Sequence, residues 1–181
     1  MLECSVDDAI RITNDWNGKP LPVSATCHRA GRLAVRLSGA VPAVTAAAKQ
    51  IGGTAVHDGN AFWEGVREQT DAFFAAARTA GAPLWRLSVK GSAPYANLGG
   101  EQMIEWSGAL RWLVAGEQTD PAQVRAWAAG HGGHATLYRA ADKTAGAFHP
   151  LPETLHALHR RLKSTFDPAG ILNRGRMYSD F

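Results

Sequence analysis

Twice along this chain an alternating apolar run passes into a helix started by proline and stopped by a glycine pair, after which a short β-like run returns. In the first instance Leu33, Val35 and Leu37 alternate with Ala34, Arg36 and Ser38, and Pro42 stands near the first turn of a helix carrying Val44, Ala47, Ala48 and Ile51. Gly52-Gly53 closes that helix and residues 54–57 return as a strand. In the second, residues 108–114 form the strand and Asp120-Pro121 is an N-cap with proline at the first helical position. Val124, Trp127 and Ala128 line the helix, Gly132-Gly133 stop it, and residues 134–139 return. Alternation with period two is the mark of a strand buried on one face, and proline inside a helix start with glycine past its end is the asymmetry that helix termini favour. The repeated pattern predicts two strand–helix–strand units that arose by internal duplication.

The segments around the units are legible by the same means. Ser5 with Asp8 predicts a capping box, and Val6, Ala9, Ile10, Thr13 and Trp16 follow at helical spacing until Asn17-Gly18. Residues 21–27 pair with residues 33–38 across the turn His28–Arg32. A helix is expected around residues 60–70, a strand over Leu84–Val89, and a loop over residues 91–100, rich in Gly, Pro and Asn. Together these elements predict an α+β, ferredoxin-like fold with an antiparallel sheet and helices on one face. We expect residues 1–150 to form this domain. Residues 151–181 are expected to be a C-terminal helix, with Leu151, Leu155, Leu158, Leu162 and Phe166 on its apolar face, and a tail beyond Asp167-Pro168 that needs covering.

A single core suits 181 residues of which 45% are hydrophobic. The formal net charge of +3 is small and scattered, with no basic run interleaved with aromatics, which argues against a nucleic-acid partner. Cys4 and Cys27 have neither metal-ligand nor redox-motif spacing, which suits a reducing, cytoplasmic setting. Glu3, Asp7 and Asp8 stand where a secretory leader would be positive, and no stretch approaches the roughly 20 apolar residues that cross a bilayer.

From residue 151 the string Leu-Pro, Leu-His-Arg-Arg-Leu-Lys, Phe-Asp-Pro-Ala-Gly-Ile-Leu-Asn-Arg-Gly-Arg-Met-Tyr resembles the C-terminal signature of FAD-linked oxidases of the vanillyl-alcohol-oxidase type. Within that family Leu84–Ser88, Gly108–Leu113 and Gly132–Thr136 are similar to glycolate oxidase E subunits. The resemblance implies a cap that closes over the flavin ring, while an N-terminal FAD-binding half of the same subunit holds the dinucleotide. No glycine-rich phosphate loop lies between a strand and a helix here, so FAD is expected in the full-length subunit and not on this chain. The family implies further partners, a second flavin subunit and an iron–sulfur subunit, with glycolate taken to glyoxylate at a site peripheral to the inner membrane. The chain by itself is expected to be silent and, with its apolar surface uncovered, to self-associate. The competing reading makes it an assembly or electron-relay domain, with substrate oxidised in the partner flavin subunit.

In such chemistry cations hold the substrate carboxylate and a base takes the hydroxyl proton. Alternation assigns Leu33, Val35, Leu37, Trp85, Leu87, Val89, Leu110, Trp112 and Val114 to one sheet face, so Arg36, Arg86 and Arg111 are expected on the other, facing flavin and substrate. A solvated face with arginine stems lying over the sheet is the competing reading. Arg111 and His134 are the candidate catalytic residues. Asn173 and Gly175 resemble the family's Asn-Pro-Gly turn, with Arg174 replacing the proline, and together with Arg176 they are expected on the flavin side. His131 with His134, and His156 with His159, lack a third ligand, so no metal site is expected. His57-Asp58-Gly59-Asn60 reads as a turn in which Asn60 caps the next helix.

Overall fold

A computed structural model describes residues 1–180. Seven strands, β1 (Leu2–Glu3), β2 (Val23–Arg29), β3 (Arg32–Leu37), β4 (Leu84–Ser88), β5 (Gly100–Glu105), β6 (Leu110–Ala115) and β7 (His134–Arg139), form one sheet in the order β1-β3-β2-β5-β6-β4-β7. Every pairing is antiparallel. The helices are α1 (Val6–Asn17), α2 (Val41–Ile51), α3 (Gly59–Arg67), α4 (Ala72–Thr79), α5 (Pro121–Gly130) and α6 (Glu153–Phe166). The architecture is α+β, compatible with the ferredoxin-like expectation.

Local chemistry explains most boundaries. The Ser5 side chain accepts from Asp8 N–H at 3.1 Å and donates to the Asp8 carboxylate at 2.8 Å, which starts α1. Asp120 accepts from Ala122 N–H ahead of Pro121 and starts α5. Asp58, and not Asn60, caps α3, because its carboxylate accepts from Ala61 N–H. The helix expected around 60–70 is two helices, broken at Gln69, whose φ is +57°, and restarted by the Asp71 cap. The second strand–helix–strand unit forms as β6–α5–β7. The first differs, since residues 54–57 are not a strand. The edge beside β3 is taken by β1, and Thr54 meets Met1 ahead of it in a reciprocal pair, Thr54 N–H donating to Met1 O at 2.9 Å and the Met1 ammonium to Thr54 O at 2.7 Å.

Apolar packing sits on both sides of the sheet. On one face Trp85, Leu87, Leu113, Ala135 and Leu137 pack under Val124 and Ala128 of α5 and under Ala93 and Leu98 of the loop 91–98. The other face carries Cys27, Ala34, Leu84, Met103, Leu110 and Trp112 beneath Val66 of α3 and Phe73 and Phe74 of α4. The coverage of this second face is incomplete, and an open cleft remains beside α3.

Strand register corrects the expected grouping of arginines. Arg86 pairs with Trp112 and Leu87 with Arg111, so Arg86 and Arg111 point to opposite faces. Both faces of β6 are covered, and Leu110, Arg111, Trp112 and Leu113 are all buried. An apolar alternation in such a strand does not say which face it belongs to.

The C-terminal element is attached lightly. No residue of α6 is buried, and Leu155, Leu158, Leu162 and Phe166 remain exposed. Beyond it the buried Asp167 accepts from Ile171 N–H at 3.1 Å and Leu172 N–H at 2.9 Å and pairs with Lys163 at 2.6 Å. The Lys163 ammonium and those amides hold the Asp167 carboxyl down to about 2. Tyr178 Oη donates to His149 O at 3.1 Å, tying the tail to the segment that flanks β7.

Candidate functional site

The cleft on the second face has a volume of about 590 Å3 and is built by β2–β6 and α3. Arg36 and Arg86 enter it from β3 and β4, two strands that lie on either side of β2, β5 and β6. Arg36 Nε donates to Ser24 Oγ at 2.9 Å, and its guanidinium lies 5.7 Å from the ring centre of Trp63. The Arg86 guanidinium lies 5.9 Å from the ring centre of Trp112. Trp112 is held edge-on by Phe74 and Tyr138, with centroids at 5.3 and 5.1 Å, so it is a rigid floor for that cation.

Glu105, at the end of β5, is the carboxylate nearest the middle of this arrangement. Its Oε1 accepts from Trp112 Nε1 at 2.8 Å. Burial pushes the Glu105 carboxyl above its ordinary range, opposed by the Trp112 bond and by the Arg86 charge. After Glu105 the chain turns through Trp106, Ser107 and Gly108 at φ +51°, +52° and +96°. Non-glycine residues in that region cost about 1–3 kcal/mol each and persist only where the surroundings hold them. Here Asn14 Nδ2 on α1 donates to Ser107 O at 3.0 Å and Gly91 O at 3.1 Å, and Ser107 N–H donates to Thr26 Oγ1 at 2.7 Å. The clamped turn presents the exposed Trp106 ring at the rim of the cleft.

The remaining residues named from sequence lie elsewhere. Arg111 is buried on the opposite face, where Nε donates to Gly108 O at 3.1 Å, Nη1 to Pro94 O at 2.8 Å and Nη2 to Ala93 O. Its guanidinium stacks 4.9 Å from the Trp127 ring centre, and burial lowers its pKa to about 10. The outward placement expected for Arg111 is therefore corrected: its donors brace the loop 91–98 and the Gly108 turn. His134 is exposed on β7, outside the cleft lining. It is close enough to His149 that its charge helps to lower the His149 pKa, behind the larger effect of burial. Asn173 and Gly175, at φ +47° and +65°, form an exposed left-handed turn closed by Arg176 N–H to Asn173 O at 3.2 Å. No residue of that turn lines the cleft.

Among the described residues no group of three His, Cys, Asp or Glu side chains is placed to hold a metal ion, and no helix is long and apolar enough to cross a membrane.

Comparison with known proteins places these observations. Residues 142–177 match the family model of FAD linked oxidases, C-terminal domain. Over 178 residues the chain is 39% identical to "Glycolate oxidase subunit GlcE" of Escherichia coli (strain K12), an alignment that covers 98% of this chain and 48% of that protein. The chain is consistent with the C-terminal half of an FAD-linked oxidase. It spans about half the length of the curated relative it matches, and no solved structure matches it significantly.

The segment matched by the oxidase family model carries α6 and the Asn173–Arg176 turn, whereas the Arg36–Arg86 cleft lies within the longer similarity only. Four of the six described helix starts are closed to the pyrophosphate of FAD. The first-turn amides of α1, α3, α4 and α5 are already engaged by Ser5, Asp58, Asp71 and Asp120, three of them carboxylates that repel a pyrophosphate. The entry to α2 offers one glycine, and Pro42 removes an amide there.

Two cleft residues, Glu105 and Trp106, were not singled out from sequence. Residues 100–105, Gly-Glu-Gln-Met-Ile-Glu, lack the alternation that marks a half-buried strand, so β5 and its turn carried no signal.

Proposed function

We propose that the chain is the C-terminal portion of an FAD-linked glycolate oxidase subunit that takes glycolate to glyoxylate as part of a multi-subunit assembly and is silent alone. The observation that carries this reading is the 39% identity to a glycolate oxidase subunit across 98% of the chain. The cleft supports it chemically. Two arginines without a salt-bridge partner among the described residues, set over tryptophan rings in a partly desolvated recess, suit a small carboxylate ligand. In this reading residues 1–150 are the cap, with Arg86 as its carboxylate-holding group. Residues 151–181 pack against the FAD-binding half, with Asn173, Gly175 and Arg176 turned towards it. The second flavin subunit and the iron–sulfur subunit complete the assembly beside the inner membrane.

The binding of FAD belongs, in this reading, to residues outside the chain. Incubation with FAD followed by gel filtration is expected to return a colourless protein peak, and a retained yellow chromophore would place a flavin site within these residues. In the full-length subunit, Arg86→Ala is expected to abolish glycolate turnover with the assembly intact. Unchanged turnover would favour an assembly or electron-relay role instead.

A further inference from the structure

Three groups of the cleft have binding capacity that the fold leaves unused. Neither Arg36 nor Arg86 is within salt-bridge distance of a carboxylate among the described residues. Glu105 spends Oε1 on Trp112, while its Oε2 accepts no hydrogen bond from the described residues, and Glu105 lines the cleft. Strand order then sets the spacing. Glu105 on β5 lies between the two cations, with β2 separating it from the strand of Arg36 and β6 from the strand of Arg86. Strands sit about 4.8 Å apart, so each arginine-bearing strand is about 10 Å away, and Arg86 lies in the row of Trp112 and Met103, two residues along from the Glu105–Leu110 row, an offset that a long guanidinium arm partly closes. Arg86 is the cation whose charge acts on Glu105.

We infer that Glu105 is the specificity-determining residue of the cleft: with a small 2-hydroxy carboxylate held by Arg86 through its carboxylate, Glu105 Oε2 accepts the hydrogen bond of the ligand's hydroxyl. The inference rests on the reading of the cleft as a carboxylate site. An ionised carboxylate accepts hydrogen bonds only, so it favours an acid bearing a hydroxyl donor over one of the same size without it. The Trp112 N–H fixes the plane of the Glu105 carboxyl, and the rigid floor beneath Arg86 fixes the distance over which ligand and carboxylate must match. Trp106 lines the same cleft with its ring exposed.

Burial raises the Glu105 carboxyl, opposed by the Trp112 hydrogen bond and the Arg86 charge from β4, and the other titratable or charged groups around it are Arg36 from β3, the Cys27 thiol from β2, and Glu64 and Arg67 from α3. Glu105 loses its purely accepting character on protonation. The preference for a hydroxy acid is therefore full well above the raised Glu105 pKa and falls as pH drops through it.

Three tryptophans line the cleft, so ligand binding is readable as a change in tryptophan fluorescence of the intact chain. Glycolate and acetate are titrated at neutral and acidic pH into the wild type, Glu105→Gln and Arg86→Ala. The expected result is a roughly tenfold preference for glycolate at neutral pH, the size of one charge-assisted hydrogen bond, declining in acid. Glu105→Gln keeps an oxygen for Trp112 but turns an amide donor to the ligand, whose hydroxyl oxygen can accept from it, so the pH dependence of the preference disappears while acetate still binds. Arg86→Ala weakens both acids alike. Equal affinity of the wild type for glycolate and acetate, or a pH dependence of the preference that survives Glu105→Gln, overturns the role of Glu105 and leaves the carboxylate cleft standing. Failure of either acid to bind the wild type overturns the cleft reading, and this inference with it. The pH series on the wild type, with each affinity expressed for the ionised ligand because acetate is the weaker acid, decides the matter even where Glu105→Gln disturbs packing, because a preference that does not change in acid refutes the inference without any substitution.

Discussion

Arg86 and Arg111 show how little separates a binding residue from a brace. Both occupy strand positions between apolar neighbours, and both sit over tryptophan rings. Arg86 looks into an open cleft, whereas the three donors of Arg111 are consumed by the carbonyls of Gly108, Ala93 and Pro94 in the interior. Removing such a cation strands its acceptors, each at a cost of about 1–3 kcal/mol. Arg111→Met, which keeps the stem against Trp127, is therefore expected to lower stability by about 3–5 kcal/mol, seen as a lower urea midpoint at unchanged slope. Glycolate binding per folded molecule is expected to persist. Loss of ligand binding at full stability would instead return Arg111 to the substrate side. Legibility at this scale was uneven: residues 86 and 111 were both singled out from sequence, but the opposite direction of Arg111 was not foreseen, because β6 is buried on both faces.

At the scale of elements, the two glycine pairs that stop α2 and α5 differ in what they do. Gly52 and Gly53 release the chain into an irregular segment. Gly132, at φ +70°, turns the chain directly into β7, and a Cβ on Gly133 would stand 1.9 Å from Ser88 O in the adjoining strand. Neither atom is the end of a flexible side chain, so Gly133→Ala must displace backbone in the β4–β7 ladder. A loss of about 1–3 kcal/mol is expected, with faster hydrogen exchange at the β7 amides. Gly130→Ala, at the end of α5 with open space around it, is the control and is expected to be neutral or stabilising by up to about 1 kcal/mol. Exchange in β7 that is unchanged by Gly133→Ala would show that the ladder yields more easily than its geometry implies. The capped starts of α1 and α5, and the proline and glycine punctuation around α5, were readable from sequence because capping is a local transaction between residues two or three apart. The strand expected at 54–57 failed for the converse reason: β1 takes the place beside β3, and the returning segment meets the chain ahead of β1 only through the Thr54–Met1 pair.

For the whole molecule, the unequal attachment of its parts matters most. The sheet is covered on both faces, while α6 exposes Leu155 and Leu158 at 46%, Leu162 at 49% and Phe166 at 81%. An apolar stripe of that kind on a protein spanning about half the length of its relative needs a cover. Sizing over a range of concentrations is expected to show self-association that the pair Leu158→Glu and Phe166→Glu suppresses. A chain that stays monomeric at every concentration would show that the stripe is tolerated in water.

What the amino-acid sequence determined by itself was local or cumulative. Caps, helix stops and the hairpin of β2 and β3 depend on neighbours along the chain, and the resemblance to FAD-linked oxidases depends on a string of residues read in order. What only the tertiary structure decided was direction and company. Alternation within a strand relates its own residues to two faces, but hydrogen-bond register between strands says which faces coincide. That register separates Arg111 from Arg86, and strand order sets Glu105 between Arg86 and Arg36, from segments that are far apart in sequence and have no pattern linking them.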